Sequence, residues 1–311
     1  MFAYIIRRIL YIIPILFGVT LLTFVLFNVV GGNPVYQKLG KHGSEAEIKI
    51  MTKELGLDRP LFDQYLFYLK QCVTFDFGRS WSTNQKISEM VNHGIGATLS
   101  LTIPAFTISI IIAILIAIIA TFLRNTIFDK ILVVMCLAGL SISILAYIIF
   151  FQYYFSFKLG MFPISGYDQS WTGRWEYLVL PMIIWIIISV GNEILLYRTV
   201  ILDEVFQDYV RTARAKGLSE KFVMLKHVLK NAMIPIITNI VMEIPFLYTG
   251  SLLLENFFGI PGLGGMTVQA IQNSDFPVIK AMTFIGSIIY VVFNLISDVA
   301  YALVDPRIKL E

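Results

Sequence analysis

Cysteine, histidine and charge are what this 311-residue chain has least of: two Cys, three His and 14% charged residues. Cys72 and Cys136 are the only thiols, and Cys136 lies inside an apolar run, so no disulfide framework is expected. His42, His93 and His227 offer no metal-ligand spacing. No G-x-x-x-x-G-K-[ST] phosphate loop is present, so the chain does not bind ATP by that route. Neither H-E-x-x-H nor G-x-S-x-G occurs, which removes the most recognisable intramembrane hydrolase arrangements. The net charge of +3 is small and its basic residues sit in loops between apolar runs, so nucleic-acid binding has no support. No repeat relates the two halves, which weakens a secondary-carrier reading.

What the chain has in excess is apolar surface. Apolar residues make up 57% of it, against roughly 45–50% in a soluble domain. The composition is that of an all-α integral membrane protein. Six runs are long enough to span: Ile9 to Val30, Ala97 to Phe122, Ile131 to Phe155, Leu178 to Tyr197, Ile234 to Leu254 and Val278 to Val304. The first follows Arg7 and Arg8 as a signal peptide would, but it is about as long as the ~20 residues of a spanning helix and no A-x-A-like site follows, so it reads as retained. Pro14 falls in its first turns, or kinks it if the helix starts earlier.

Between the first two spans, residues 31–96 turn polar, with amphipathic pieces at Glu45 to Leu55 and Leu61 to Val73. Phe62, Tyr65, Phe67, Tyr68, Phe75, Phe77 and Trp81 argue against a passive linker, because linkers rarely carry so many groups that need burial. The segment reads as a cap or docking surface. The chain thus divides into residues 1–30, residues 31–96, and a core of five spans over residues 97–311.

Lysine and arginine set the orientation. With the N-terminus inside, the inner segments hold Arg7, Arg8, Arg124, Lys130, Arg198, Arg211, Arg214, Lys216, Lys221, Lys226, Lys230, Arg307 and Lys309, whereas the short outer loops hold only Lys158, Arg174 and Lys280. Both termini are therefore expected in the cytoplasm, as is the long polar stretch 203–231. In that stretch Phe206, Tyr209, Val210 and Ala213 fall at helical spacing, as do Phe222, Leu225 and Leu229, with Gly217 between the sets. Two readings fit: two short helices joined at a glycine corner, or an amphipathic loop lying on lipid.

Polar groups inside spans are the other candidates. Glu243 lies near the middle of the fifth span, two residues before Pro245, where a carboxylate costs a few kcal/mol and must face protein or water. It reads either as a pathway or gate residue or as a protonated or helix-paired Glu. Asn192 and Glu193 are placed to pair with Arg198. Gly259 to Gly265, GIPGLGG, has no lysine and no preceding strand, and reads as a set of turns.

Short segments along nearly the whole chain resemble one family. They are ELGLDRP (Glu54 to Pro60), DFGRS (Asp76 to Ser80), DYVRTARAKGL (Asp208 to Leu218), HVLKNAMIP (His227 to Pro235), ENFFGIPGLG (Glu255 to Gly264), DFPVIKA (Asp275 to Ala281) and DPRIK (Asp305 to Lys309). In order and spacing they are similar to the first permease of ATP-binding-cassette importers for dipeptides, oligopeptides and nickel. The resemblance implies a type I importer permease in the bacterial inner membrane, one half of a pore made with a second, homologous permease. It implies as partners two ATPase subunits, which would carry ATP and Mg, and an extracytoplasmic substrate-binding protein received by the cap; this chain itself would hold no cofactor.

In that family an E-A-A-x-x-x-G pattern in a cytoplasmic loop forms a coupling helix that docks on the ATPase. The matching positions here are Arg211, Thr212, Ala213 and Gly217, so the Glu and the first Ala are replaced and any role for a Glu is lost. The resemblance assigns coupling to Asp208, Tyr209, Arg211, Thr212, Ala213, Arg214, Ala215, Lys216, Gly217 and Leu218, where Arg211, Arg214 and Lys216 can meet acidic groups of the partner. A stand-alone channel or carrier using Glu243 as coupling acid is the alternative from another class, and an intramembrane enzyme lacks a nucleophile and base. Peptide is the expected cargo, and nickel or a metal chelate the alternative.

Overall fold

The computed structural model describes residues 2–30, 35, 45–54, 56–249 and 252–304. The DPRIK motif with Arg307 and Lys309, and Leu55 of the ELGLDRP motif, lie outside the described residues. Among the described residues the fold is helical and has no strand, only an isolated antiparallel bridge between Arg79 and Lys86. The helices are α1 (Phe2–Phe24, continuing π-helical over Val25–Val30), α2 (Glu45–Glu54), α3 (Leu61–Thr74), α4 (Ile87–Phe122), α5 (Ile127–Ser141) and α6 (Ile144–Phe151, continuing over Gln152–Lys158). They continue with α7 (Arg174–Val205), α8 (Asp208–Ala215), α9 (Glu220–Phe222, π-helical over Val223–Val228, then Leu229–Thr249), α10 (Leu252–Phe258), α11 (Leu263–Gln272) and α12 (Phe276–Val304).

Five of these stretches are long and apolar enough to cross a bilayer: Leu10–Val29, Ile87–Phe122, Arg174–Val205, Glu220–Tyr248 and Phe276–Ile296. The bent pair α5 and α6 makes a sixth if it counts as one span. The expected span from Ile131 to Phe155 is broken into two pieces that meet at 91°. Ser143 starts the second piece by accepting from the Leu145 amide at 3.3 Å, and Tyr147 Oη donates to the Gly139 carbonyl at 3.0 Å. A break at membrane depth is tolerable when freed backbone groups find such partners. α1 begins well before Pro14, which lies inside it. Gly250 and Ser251, inside the expected fifth span, lie outside the described residues; the chain is helical over Leu229–Thr249 before them and over Leu252–Phe258 after them.

Contacts divide the chain into two compact units. The first comprises Met1–Thr98, Tyr248–Asn256 and Pro261–Leu295. Its core joins Phe24 to Tyr65, Tyr68 and Cys72 of α3, which recur at helical spacing, and to Phe77, Ile87, Leu263, Phe276 and Phe284. Thr20 Oγ1 and Tyr65 Oη lie 3.1 Å apart, and the Phe24 and Tyr65 rings meet edge-on at 5.3 Å. The cap aromatics thus divide: Tyr65, Tyr68 and Phe77 are buried and Trp81 packs on the core, while Phe62, Phe67 and Phe75 stay exposed.

One carboxylate closes this unit. Asp275, 1% exposed, accepts from Ser80 Oγ (2.5 Å), the Trp81 amide (3.1 Å), the Ser82 amide (3.1 Å) and Ser82 Oγ (2.9 Å). A buried charge needs such partners, and here the partners are the DFGRS segment with the residues after it, held to the start of α12.

The second unit comprises Leu99–Leu247, Phe257–Ile260 and Ile296–Glu311. Its core gathers Tyr197, Ile201 and Val205 of α7 with Val210, Ala213, Val223, Met224, Val228, Ala232 and Ile236. Arg198 grips Asp129 at the start of α5 through two 2.7 Å bonds, Nε to Oδ1 and Nη2 to Oδ2. The expected pairing of Arg198 with Asn192 or Glu193 is therefore overturned: six and five residues away on one helix, they do not share a face with Arg198, and the Asp129 carboxylate takes the planar fork instead.

Candidate functional site

The stretch 203–231 folds as two helices joined at a corner. α7 runs out at Val205, and after Phe206 and Gln207 the chain re-enters a helix at Asp208. α8 is a two-turn helix whose Val210 and Ala213 are buried, while Arg211, Ala215 and Lys216 face outward. Thr212 Oγ1 donates to the Asp208 carbonyl at 2.9 Å, and Tyr209 Oη donates to Glu204 Oε2. Burial and then the Glu204 carboxylate push the Tyr209 hydroxyl up to about 12, so it stays a donor at neutral pH.

Gly217 makes the corner. Its φ is +77°, a Cβ there would meet nothing within 4 Å, and its amide donates to the Arg214 carbonyl at 2.9 Å. The demand for glycine is therefore a demand of the backbone, not of space. Across this turn Arg214 holds Glu220 in a fork, Nε to Oε2 at 3.0 Å and Nη2 to Oε1 at 2.6 Å. Arg214 thus braces the corner; among the described residues Arg211 has a 3.6 Å pair with Asp208, both exposed, and such pairs contribute little.

Past the corner, the expected apolar stripe of Phe222, Leu225 and Leu229 is also corrected. Val223, Met224 and Val228 are the buried residues, while Phe222 and Leu225 are exposed. The wider π-helical turn over Val223–Val228 rotates the buried face by about one residue. The result is an outward apolar set, Phe206 at 62% exposure, Leu218, Phe222 and Leu225 at 57%, alongside Arg211 and Lys216. This is a rigid element with sticky groups on its free side and an anchored inner side.

Residues 109–310 match the model of the binding-protein-dependent transport system inner membrane component, and residues 1–102 match the model of the N-terminal part of such membrane components. The chain belongs to this permease family. It is 34% identical over 309 residues to the glutathione transport system permease GsiC of Shigella flexneri serotype 5b, covering 99% of each chain. It is 34% identical over 332 residues to the dipeptide transport system permease DppB of Alkalihalophilus pseudofirmus, covering 99% of this chain and 100% of that one. GsiC of Escherichia coli K12 is 33% identical over 309 residues. The protein is thus a multi-pass inner-membrane permease of an ATP-binding-cassette importer, and the resemblance read from its motifs holds.

The permease's glycine-rich run has a role that its sequence alone did not reveal. Gly262 precedes α11, and the Glu255 carboxylate, fully buried, caps that helix: Oε2 accepts from the Gly265 amide at 2.9 Å, and Oε1 from Thr98 Oγ1 at 2.9 Å. Thr98 Oγ1 in turn accepts from the Leu263 amide at 2.8 Å. A Cβ on Gly262 or Gly264 would run into the carboxylate, so the glycines are required by its close approach. The run is a carboxylate cradle and a helix start rather than turns alone. Burial pushes the Glu255 carboxyl up to about 7, against the opposing pull of the Gly265, Thr98 and Gly264 donors. Its signal in the sequence was a Glu seven residues before a Gly-x-Gly-Gly, which is legible only once the carboxylate is known to fold back.

Glu243 is half-buried and Pro245 buried in α9. Within the same unit, Glu193 on α7 is 3% exposed, accepts from Ser109 Oγ at 3.1 Å through Oε1, and has no hydrogen-bond partner for Oε2 among the described residues. Glu193 and Tyr197 lie within electrostatic reach of Glu243. Sequence reasoning singled out Glu243 but not this association, because it depends on how α7 and α9 pack.

Proposed function

We propose that this permease forms half of an ATP-driven pathway that imports di- or oligopeptides, and that its 203–231 corner receives the movement of a separate ATPase. The observation that carries the second part is the corner itself. Its inner side, Val210, Ala213, Val223, Met224 and Val228, is packed with Tyr197 and Ile201 of a spanning helix, so a push on the outer side reaches the membrane. The outer side offers Phe206, Leu218, Phe222 and Leu225 with Arg211 and Lys216, which suits a groove with apolar walls and an acidic rim. Asp208, Tyr209, Thr212, Arg214, Ala215 and Gly217 shape this element and need not touch the partner.

The assembly we infer contains a second homologous permease, two ATPase subunits holding ATP and Mg, and an extracytoplasmic binding protein received by residues 31–96. Both termini lie in the cytoplasm on this reading, in keeping with six spans and with the distribution of lysine and arginine. The cargo is inferred from the names of relatives, which transport a dipeptide and glutathione, itself a peptide. Glu243 and Pro245 are inferred to face the path, since an acid half-exposed at that depth needs a polar neighbour.

Affinity capture of the tagged chain from its own membrane tests the assembly. It should bring down a second permease and ATPase subunits, and Gly217→Pro should lose the ATPase while keeping the second permease. Recovery of the chain alone, moving solute without ATP, would put a stand-alone carrier in its place.

A further inference from the structure

A cavity of about 280 Å³ in the first unit is lined, among the described residues, by four cationic side chains, Lys53, Arg59, Arg79 and Lys280, and by no carboxylate. Lys280 is its anchor. Its ammonium donates to Asn28 Oδ1 and stands 5.6 Å from the Tyr68 ring centroid, and among the described residues it makes no ion pair. An ammonium offers three donors, and a half-buried one without a counter-ion is costly. A second group points to the same need: Tyr68 lines the cavity, is 4% exposed, and its hydroxyl has no hydrogen-bond partner among the described residues.

The depth of the cavity narrows the ligand. Asn28 is next to last in the apolar stretch Leu10–Val29, and Lys280 is the fifth residue of the stretch Phe276–Ile296. At 1.5 Å per residue that puts Lys280 about 6 Å inside the end of its span, at the level where hydrocarbon gives way to headgroups. Beside it, α1 exposes Leu21, Leu22, Leu26 and Val29, a surface suited to acyl chains.

We propose that this cavity binds the phosphate of an anionic phospholipid, held by Lys280 and the Tyr68 hydroxyl and surrounded by Lys53, Arg59 and Arg79, with its acyl chains along α1. The site is independent of the cargo and of the ATPase. A zwitterionic lipid fits less well, since its own cation would meet four others. Free phosphate would match the charge but would leave the apolar flank uncovered.

The test uses the whole transporter, purified in detergent and stripped of lipid, with thermal stability read as micelles are doped with phosphatidylglycerol, with phosphatidylcholine, or with inorganic phosphate in the buffer. Phosphatidylglycerol should raise Tm and the other two should not. In Lys53→Gln/Arg59→Gln, whose side chains are exposed and have no hydrogen bond or ion pair among the described residues, the half-saturating phosphatidylglycerol should rise about twenty-five-fold, at about five-fold for each cation lost. Lys280→Gln should abolish the response. An equal response to phosphatidylcholine, or an unchanged response in the double variant, would overturn the proposal. A Tm rise with inorganic phosphate alone would overturn the lipid as the source.

Discussion

Glu255 makes the permease's stability depend on pH in a direction opposite to that of most carboxylates. Its carboxyl is raised from 4.5 in the unfolded chain to about 7 in the fold. Between those values the folded state holds a proton that the unfolded state has released, so the contribution of Glu255 to stability is greatest below about pH 4.5, falls as pH rises, and levels off above about 7. The difference of about 2.5 units corresponds to about 3 kcal/mol at 1.36 kcal/mol per unit. Thermal unfolding of the purified transporter from pH 5 to 8 reads it. Glu255→Gln should flatten the profile over this range while costing about 1 kcal/mol for one impaired hydrogen bond, because the amide presents an acceptor to either the Gly265 amide or Thr98 but not to both. A wild-type Tm that rises between pH 5 and 7, or a Glu255→Gln variant that keeps the wild-type slope, would refute this reasoning.

Other perturbations separate parts of the fold. Asp275→Ala leaves four donors of residues 80–82 without their acceptor and should destabilise by about 3 kcal/mol, with Asp275→Asn milder, as read by thermal unfolding. Asp129→Ala strands the Arg198 guanidinium and should cost about 3 kcal/mol, seen as reduced abundance in the membrane. At the corner, Gly217→Ala places a side chain at φ +77° and should cost about 1–2 kcal/mol with coupling retained, whereas Gly217→Pro cannot adopt that φ and also loses the bond to Arg214, so transport-linked ATP hydrolysis should vanish. Glu243→Gln should slow uptake at normal expression if the carboxylate faces the path; wild-type uptake would make it a packing residue.

The parts of the fold written in local pattern were legible in the sequence. The apolar runs marked the spans, and the Val210 and Ala213 spacing with Gly217 marked the corner, because helical periodicity and a left-handed glycine are properties of neighbouring residues. What failed depended on partners far along the chain. Arg198 chose Asp129, 69 residues away, over Glu193 on its own helix. Asp275 and Ser80 meet across 195 residues, and Thr98 and Glu255 across 157. The stripe past Gly217 was misread because a π-helical turn shifts a 3.6-residue period by one position. The 91° bend after Ser141 was hidden because its serines sit in an otherwise unbroken apolar run.

The central claim is that movement of an ATPase passes through the 203–231 corner to a peptide pathway. It is tested most directly by uptake of a labelled dipeptide into vesicles containing the reconstituted transporter, its binding protein and internal ATP. The wild type should accumulate peptide only with ATP, and a variant with Phe222 and Leu225 both changed to Asp should be inserted and folded yet accumulate none and no longer retain the ATPase. Uptake without ATP, or full uptake by that variant, would contradict the claim.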